Sequence, residues 1–343
     1  MFHLHGHSLI RQSSSLIITV PTQQYTRGSG SSSSSSNNLP KYNYRLLMLK
    51  RGSFKGALVF PGGNVDDGID RSERWEQLAR DPSSGALSDH NKDMLAYKIC
   101  AIRETFEETN LPLFSPYQKA IQVTNNQDRT STSFLDLCNT HDLRPLTGLI
   151  YPHSHWVTPT QMPRRFNTQF FICHLGKIAE KFSPSPDKQK ETLASLVDRL
   201  QVQENEIVKS MWLTPSEALD ACSRREITLF PPQFYILNEL SKYNDWKELQ
   251  KLNEQHRSCE YWHRDPTMPI LPEIRVKPDD PERVVMLLPG DKEYPMDDIT
   301  DNAFFACSGQ SNRIDMKRRD GGMMGFEDYK LISSWLEPHL SKL

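Results

Sequence analysis

Short apolar runs separated by polar stretches predict a succession of strands and helices along the chain. Residues 16–20 are rich in β-branched side chains, and residues 44–50 are apolar almost throughout. A strand that is buried on both faces has this continuous apolar pattern. Residues 56–60 form the next predicted strand and lead into Pro61-Gly62-Gly63. Later strands are predicted at residues 169–173, 211–213 and 284–288.

One long helix is predicted at residues 92–109. Within it, Leu95, Ile99, Ile102 and Phe106 recur at i, i+4, i+7 and i+11, so they form one apolar stripe. Shorter helices are predicted at residues 215–219, after Thr214 as the N-cap, and at residues 234–240.

The order of these elements predicts an α+β fold, because strands and helices mix without regular βαβ alternation. Residues 12–242 hold most of the predicted elements and form the expected main domain. Residues 26–39 include six consecutive serines and are expected to be a disordered loop. Residues 243–343 are charged and interrupted by proline, and they are expected to form a C-terminal extension with one clear strand.

Charge and cysteine content exclude several classes of protein. The formal net charge of −2 argues against a nucleic-acid binder that works by broad electrostatics. None of the six cysteines forms a Cys-x-x-Cys pair, which argues against a structural zinc site and gives no support for a disulfide framework. No run approaches the ~20 apolar residues of a membrane helix, so no membrane span is expected.

Three carboxylates crowd one side of the predicted helix. At ~100° per residue, Glu104, Glu107 and Glu108 lie roughly opposite the apolar stripe, so we expect them on the solvent face. Like charges at this spacing destabilise a bare helix, whereas a divalent cation would stabilise them because hard cations bind several oxygen ligands. A solvated acidic face is the alternative explanation. Arg103 is a candidate to orient one of the carboxylates.

The glycine pair and the acidic helix together carry a family resemblance. Two glycines after a strand let the backbone approach a bound group. Gly63, together with residues 103–111 (Arg-Glu-Thr-Phe-Glu-Glu-Thr-Asn-Leu), resembles the Nudix box. That box consists of Gly, five residues, Glu, seven residues, and then Arg-Glu-apolar-x-Glu-Glu-x-Gly-apolar.

The resemblance has departures at three positions and one long insertion. The insertion lies at about residues 70–92 and separates the two halves of the box. Ile69 stands at the position of the first Glu, with Asp70 beside it, and Thr105 stands at an apolar position. Asn110 replaces the final Gly, and Asn tolerates the left-handed conformation that ends helices.

The split box is similar to that of the peroxisomal coenzyme A diphosphatase branch of the Nudix hydrolases. The Gly-x-x-x-Phe-Pro-Gly-Gly lead-in at residues 56–63 and the Leu-Leu-Pro-Gly-Asp run at residues 287–291 also resemble that branch. The resemblance implies a Nudix α/β/α sandwich with a mixed sheet. It also implies hydrolysis of the diphosphate bond of coenzyme A and acyl-coenzyme A to 3′,5′-ADP and 4′-phosphopantetheine products, with Mg²⁺ or Mn²⁺ as cofactor.

The resemblance also implies roles for individual residues. Catalytic roles are assigned to Glu104, Glu107, Glu108 and Arg103: the three carboxylates bind the metal, and Arg103 orients Glu104 or Glu107. Substrate binding is assigned to Arg51, Gly62, Gly63 and Arg165. Two further candidates have alternatives: Glu206 as the general base or an ordinary loop carboxylate, and Trp75 as an acyl-chain contact or ordinary packing. Arg164 is a phosphate contact or a surface charge.

Two other functions stay open at this point. A Nudix enzyme acting on NADH or ADP-ribose would share the chemistry, although NADH diphosphatases carry a four-Cys zinc site that the cysteine spacing does not supply. A Nudix-fold binding protein without catalysis is favoured by Ile69 and opposed by the intact Glu104, Glu107 and Glu108.

The tripeptide Ser341-Lys342-Leu343 matches the signal read by the peroxisomal import receptor, so we expect that receptor as a partner and the peroxisome as the location. Deleting Leu343 should therefore leave the protein in the cytosol, as measured by fluorescence of an N-terminally tagged protein beside a peroxisomal marker. Continued import of the shortened protein would contradict the assignment.

Overall fold

The computed structural model describes residues 10–22, 41–52, 56–79, 89–124, 133–202, 207–255, 265–295, 311–318 and 326–333. The predicted serine-rich loop, Glu206 and the tripeptide Ser341-Lys342-Leu343 lie outside the described residues.

The elements of the described residues, in chain order, are as follows. They are β1 (Arg11–Pro21), β2 (Tyr44–Arg51), β3 (Leu58–Val59), β4 (Gly62–Asn64), α1 (Glu73–Ala79), α2 (Asp89–Thr109), β5 (Phe114–Ser115), α3 (Tyr117–Thr124), α4 (Phe134–Thr140), β6 (Arg144–Pro145), β7 (Ile150–Val157), β8 (Phe166–His174), α5 (Leu175–Phe182), α6 (Pro186–Asp198), β9 (Ile207–Leu213), α7 (Pro215–Ser223), α8 (Pro231–Leu240), α9 (Trp246–Gln255), β10 (Pro269–Ile270), β11 (Glu273–Lys277), β12 (Asp280–Leu287), β13 (Asn312–Arg318) and β14 (Phe326–Ser333).

A mixed sheet of eight strands organises the described part of the chain. Its order is β10-β7-β8-β1-β2-β3, with β4 also paired to β1 and β9 also paired to β2. The pairs β1–β8 and β10–β7 are parallel, and the remaining pairs are antiparallel. Strand β1 lies in the middle of this sheet and therefore contacts most of the elements that form the site.

Residues 16–20 of β1 and residues 46–49 of β2 are almost entirely apolar because each face of the sheet packs on its own core. Leu16 and Ile18 belong to one core cluster, which includes residues of α2, whereas Ile17 belongs to a second cluster, which includes residues of α8 and α9. Alternate residues of a strand point to opposite faces, so two buried faces require an unbroken apolar run. The predicted α+β sandwich of helices around a mixed sheet is confirmed.

The long helix predicted at residues 92–109 is confirmed as α2. It runs three residues further at its start than predicted and ends before Asn110, which has a φ of 60°. Ile99, Ile102 and Phe106 are buried in the first core cluster. The helix begins after residues 80–88, which lie outside the described residues. Among the described helices, none combines the length and the apolar character of a membrane span.

The strand predicted at residues 284–288 is confirmed as β12, but the expectation of a single strand beyond residue 242 is wrong. Strands β11, β12, β13 and β14 form a four-stranded antiparallel sheet. Its outer face carries charges that pair across the strands: Lys277 and Arg283 both donate to Asp315. The other strands of this sheet, β11, β13 and β14, hold too few apolar residues in succession to stand out in the sequence.

The C-terminal region shares the core of the main sheet. Trp246 and Leu249 from α9, and Val284 and Ile314 from the second sheet, are buried in the second core cluster. Strand β10 extends the main sheet at β7. Residues beyond 242 therefore contribute to the packing behind the site.

His174 at the end of β8 connects the main sheet to α9. Its Nδ1 lies 2.8 Å from Thr19 Oγ1, and Asn253 Nδ2 lies 3.2 Å from its Nε2. Burial, with the nearby His153, lowers the pKa of His174 to about 3. Because Asn253 donates to Nε2, the neutral ring donates from Nδ1 to Thr19, and a protonated ring would lose the Asn253 bond.

The lowered pKa predicts acid destabilisation. The unfolded chain protonates His174 near pH 6.5, but the folded protein does not until about pH 3. The free energy of unfolding should therefore be fully retained above pH 6.5 and fall as the pH drops through that window. Urea unfolding at a series of pH values should show a smaller fall for His174→Gln than for the unmodified protein, and equal slopes for the two would contradict this assignment.

Candidate active site

Strand β4 presents the glycine pair at an edge of the site. Gly63 lies opposite Ser14 and Gly62 opposite Ser15 in the antiparallel pairing with β1. The carbonyl oxygen of Pro61 accepts from Leu16 N and from Ser15 Oγ, both at 2.9 Å. Gly62 has a φ of 153°, and a Cβ there would overlap the backbone of β1, so only glycine fits this position.

Helix α2 packs directly against this glycine pair. A Cβ on Gly63 would overlap the carboxyl group of Glu104. Gly62 N donates to Glu108 Oε2 at 3.0 Å, and the thiol of Cys100 lies 3.7 Å from Gly63 O. The two halves of the split box therefore meet, as the resemblance implied, despite the residues inserted between them.

Arg103 is held by a buried aspartate. Its Nε and Nη2 donate to Asp70 Oδ1 and Oδ2 at 2.9 and 2.8 Å, and both side chains are buried. Nη2 also donates to Asn64 O at 3.0 Å. Asp70 thus supplies the buried carboxylate beside the first Glu position, while Ile69 packs against the first core cluster. Sequence analysis noted Asp70 as a neighbour but assigned it no role.

A single guanidinium nitrogen of Arg103 joins two of the predicted metal ligands. Nη1 donates to Glu104 Oε1 at 2.8 Å and to Glu107 Oε2 at 2.9 Å. The Glu104 and Glu107 side chains retain 19% and 34% of their exposure, so both stay accessible. Burial raises the pKa of both carboxyl groups, and the charge of Arg103 opposes that rise.

The prediction that all three carboxylates face solvent is wrong for Glu108. Its side chain is 5% exposed because it points at β4 and the end of β2. Arg51 Nη2 donates to Glu108 Oε1 at 2.6 Å and to Gly62 O at 3.0 Å. The helical wheel correctly placed Glu108 opposite the apolar stripe, but β4 and the end of β2 cover that side of the helix at Glu108.

Other predicted residues form no hydrogen bond or ion pair with these carboxylates within the described part of the chain. Arg165 Nε donates to Thr158 O at 3.1 Å, and in the described residues no hydrogen bond or ion pair links Arg165 to the carboxylates. Arg164 is exposed. Trp75 is buried, donates to Ile69 O at 2.5 Å and packs on Phe134, which supports the packing explanation for it.

The residues present fit a divalent cation in charge and donor chemistry. Four carboxylates, those of Asp70 and of the carboxylate cluster (Glu104, Glu107 and Glu108), surround two guanidinium groups, so negative charge is in excess. Carboxylate oxygens are the ligands that hard cations prefer. Among the residues that the structure describes, no group of three or more such side chains is already arranged to hold an ion, because Arg51 and Arg103 bond to these oxygens.

Comparisons with known proteins show which family this chain resembles. The family model described as the NUDT19 Nudix domain matches residues 83–240. Acyl-coenzyme A diphosphatase NUDT19 of Xenopus laevis is 29% identical over 321 residues, covering 78% of this chain and 77% of that protein. The protein of the same name from Homo sapiens is 30% identical over 306 residues, covering 74% of this chain and 73% of that protein.

Among solved structures, a NUDIX hydrolase from Alicyclobacillus acidocaldarius is similar at 18% identity with a TM-score of 0.46, covering 71% of this chain and 96% of that chain. On the family model and the relatives, the chain belongs to the Nudix hydrolases, in the branch that the NUDT19 Nudix domain describes. Enzymes of this family act on diphosphate bonds and generally need divalent metal ions.

The contact between Gly63 and Glu104 gives a test of the site. Gly63→Ala should push the Glu104 carboxyl group away from Arg103 and lower turnover on the order of tenfold or more, as expected when a group that orients a ligand is disturbed. Turnover and melting temperature should be compared with those of Gly148→Ala, where a Cβ meets nothing within 4 Å. Equal turnover in the two variants would contradict the role of the close approach.

Proposed function

We propose that this chain hydrolyses the diphosphate bond of coenzyme A and acyl-coenzyme A, giving 3′,5′-ADP and the corresponding 4′-phosphopantetheine. The observation that carries the proposal is the convergence of Glu104 and Glu107 on one nitrogen of Arg103, beside Gly63. The substrate class is supported by the two NUDT19 relatives, which are named acyl-coenzyme A diphosphatases and align with about three quarters of this chain.

The proposed cofactor is Mg²⁺ or Mn²⁺, held by Glu104, Glu107 and Glu108. Oxygen-only ligand sets suit these ions, and the accessible Glu104 and Glu107 oxygens lie on the open side of the cluster. When bound, such an ion neutralises charge on the diphosphate and lowers the pKa of a water that attacks phosphorus.

The remaining work falls to the residues of this chain. Arg103, fixed by Asp70, sets the positions of Glu104 and Glu107. Gly62 and Gly63 leave room for the backbone of β1 and for the Glu104 carboxyl group, so β4 packs closely against the cluster. A carboxylate takes the proton of the attacking water; Glu206 remains the predicted general base outside the cluster and lies outside the described residues.

We also propose that the enzyme acts in peroxisomes after binding the import receptor. This proposal is supported by Ser341-Lys342-Leu343 alone, which lie outside the described residues.

The deciding experiment incubates the purified protein with coenzyme A, acetyl-coenzyme A, NADH and ADP-ribose, each with Mg²⁺, with Mn²⁺ and with chelator. We expect metal-dependent release of 3′,5′-ADP from the two coenzyme A compounds, measured by chromatography of the nucleotide products. Release of AMP from NADH or ADP-ribose, with no product from the coenzyme A compounds, would show that the substrate is one of these nucleotides instead. Absence of product from all four would favour the binding-protein alternative.

Glu108→Gln is the variant control for this assay. The amide keeps the size of the side chain and can still accept from Gly62 N, but it loses the ion pair with Arg51, so folding should be checked by circular dichroism and the melting temperature measured beside turnover. Loss of a metal ligand should cost at least about 100-fold in turnover, the upper range measured for residues that only support a ligand. A folded Glu108→Gln variant with near-full activity would remove Glu108 from the metal site.

A further inference from the structure

Glu108 differs from the other two carboxylates of the cluster because the chain itself uses both of its oxygens. Oε1 accepts the 2.6 Å bond from Arg51, and Oε2 accepts the 3.0 Å bond from Gly62 N. Glu104 and Glu107 receive bonds from Arg103 but remain far more exposed than Glu108. Any cation that is to use Glu108 must therefore share or replace the contact with Arg51.

The two arginines are held in different ways. Arg103 forms a bidentate pair with Asp70, a buried carboxylate outside the metal-binding set, so it can stay in place whatever binds the cluster. Arg51 makes its short bond to a carboxylate inside that set. Its side chain keeps 21% of its exposure, at the end of β2, where a long side chain can turn toward solvent.

Electrostatics makes the Arg51 position and a bound cation mutually unfavourable. A guanidinium and a divalent ion on one carboxylate are like charges within contact distance, and a partly buried site screens them weakly. A guanidinium is also the side chain best shaped for a phosphate group, with two parallel donors. A diphosphate brought to the cluster therefore offers Arg51 a second anionic partner close to the first.

We propose that Arg51 and the divalent cation compete for Glu108, and that Arg51, once displaced, binds the diphosphate of the substrate. The second half rests on the proposed substrate, and the first rests on the proposed assignment of Glu108 to the cation. The consequence is reciprocal coupling: substrate that captures Arg51 strengthens cation binding, and cation that releases Arg51 strengthens substrate binding.

The test compares Arg51→Gln with Lys50→Gln. Lys50 neighbours Arg51 in β2 and, by strand alternation, lies on the opposite face of the sheet, opposite Lys209. In the described residues it forms no ion pair with a carboxylate. Lys50→Gln therefore removes the same charge at almost the same place without touching Glu108.

Mn²⁺ binding should be measured without substrate, from the electron paramagnetic resonance signal of the free ion. Arg51→Gln should bind Mn²⁺ on the order of threefold to tenfold more tightly, because a charged hydrogen bond no longer competes for Glu108. The same variant should raise the KM for coenzyme A by about tenfold, since a charged phosphate contact is lost. Lys50→Gln should change each quantity by less than about twofold, as surface charges do.

Opposite changes in the two constants, confined to Arg51→Gln, would support the proposal. Unchanged or weaker Mn²⁺ binding in Arg51→Gln would overturn it, as would equal tightening in Lys50→Gln. If Arg51→Gln melts early, Arg51→Lys provides the same comparison, with a smaller shift expected in the same directions. If the protein hydrolyses coenzyme A but Arg51→Gln does not bind Mn²⁺ more tightly, the proposed function stands and the competition for Glu108 is ruled out. If Arg51→Gln binds Mn²⁺ more tightly but the protein does not hydrolyse coenzyme A, the competition stands and the proposed function is ruled out.

Discussion

The buried pair of Arg103 and Asp70 is the interaction on which the arrangement of the site depends. It ties the middle of α2 to the loop after β4, and the same guanidinium then reaches Asn64 O, Glu104 and Glu107. Burial by itself would lower the pKa of Arg103, but Asp70 and Glu104 raise it above its ordinary value, so the charge persists. Loss of either partner from such a pair typically costs about 3–5 kcal/mol, because an unpaired charge stays buried.

The close packing of α2 on β4 is the second constraint, and it follows from the absence of side chains on two residues. Gly62 and Gly63 let the helix approach until a backbone N–H reaches Glu108 and a carboxylate covers Gly63. Carboxylates of like charge are thereby gathered in one place, and two arginines hold them there. The local excess of negative charge is stable only with cations present, whether side chains or metal ions.

Much of this arrangement could be predicted from the sequence, where local pattern decides the outcome. The apolar runs predicted β1 and β2 because both faces of these strands pack on a core. The apolar stripe predicted α2 because one face of this helix packs on the first core cluster. The end of α2 at Asn110 also followed from local chemistry. The burial of Glu108 did not, because a helical wheel describes one helix and not the strand that covers its polar face.

The role of Asp70 and three of the four strands of the second sheet were missed for related reasons. Asp70 follows a turn in which Asp70 N donates to Asp66 O at 2.7 Å, and this turn decides which residue faces Arg103. Turn geometry of this kind is invisible to a fixed spacing rule. In β11, β13 and β14 the apolar residues alternate with charged ones, and the charges pair only once the sheet has formed.

The pairing of β1 with β8 bears on how the site comes into being. Each of its register pairs, from Arg11 with Phe166 to Thr19 with His174, joins residues that are far apart in sequence, and β1 in turn carries β4. Contacts of such high sequence separation form slowly, because the entropy of closing a long loop is lost before the contacts stabilise it. Because β1 carries both β4 and β8, the sheet around the glycine pair is complete only when this long-range pairing has formed, which makes catalytic competence a sensitive reporter of the finished sheet.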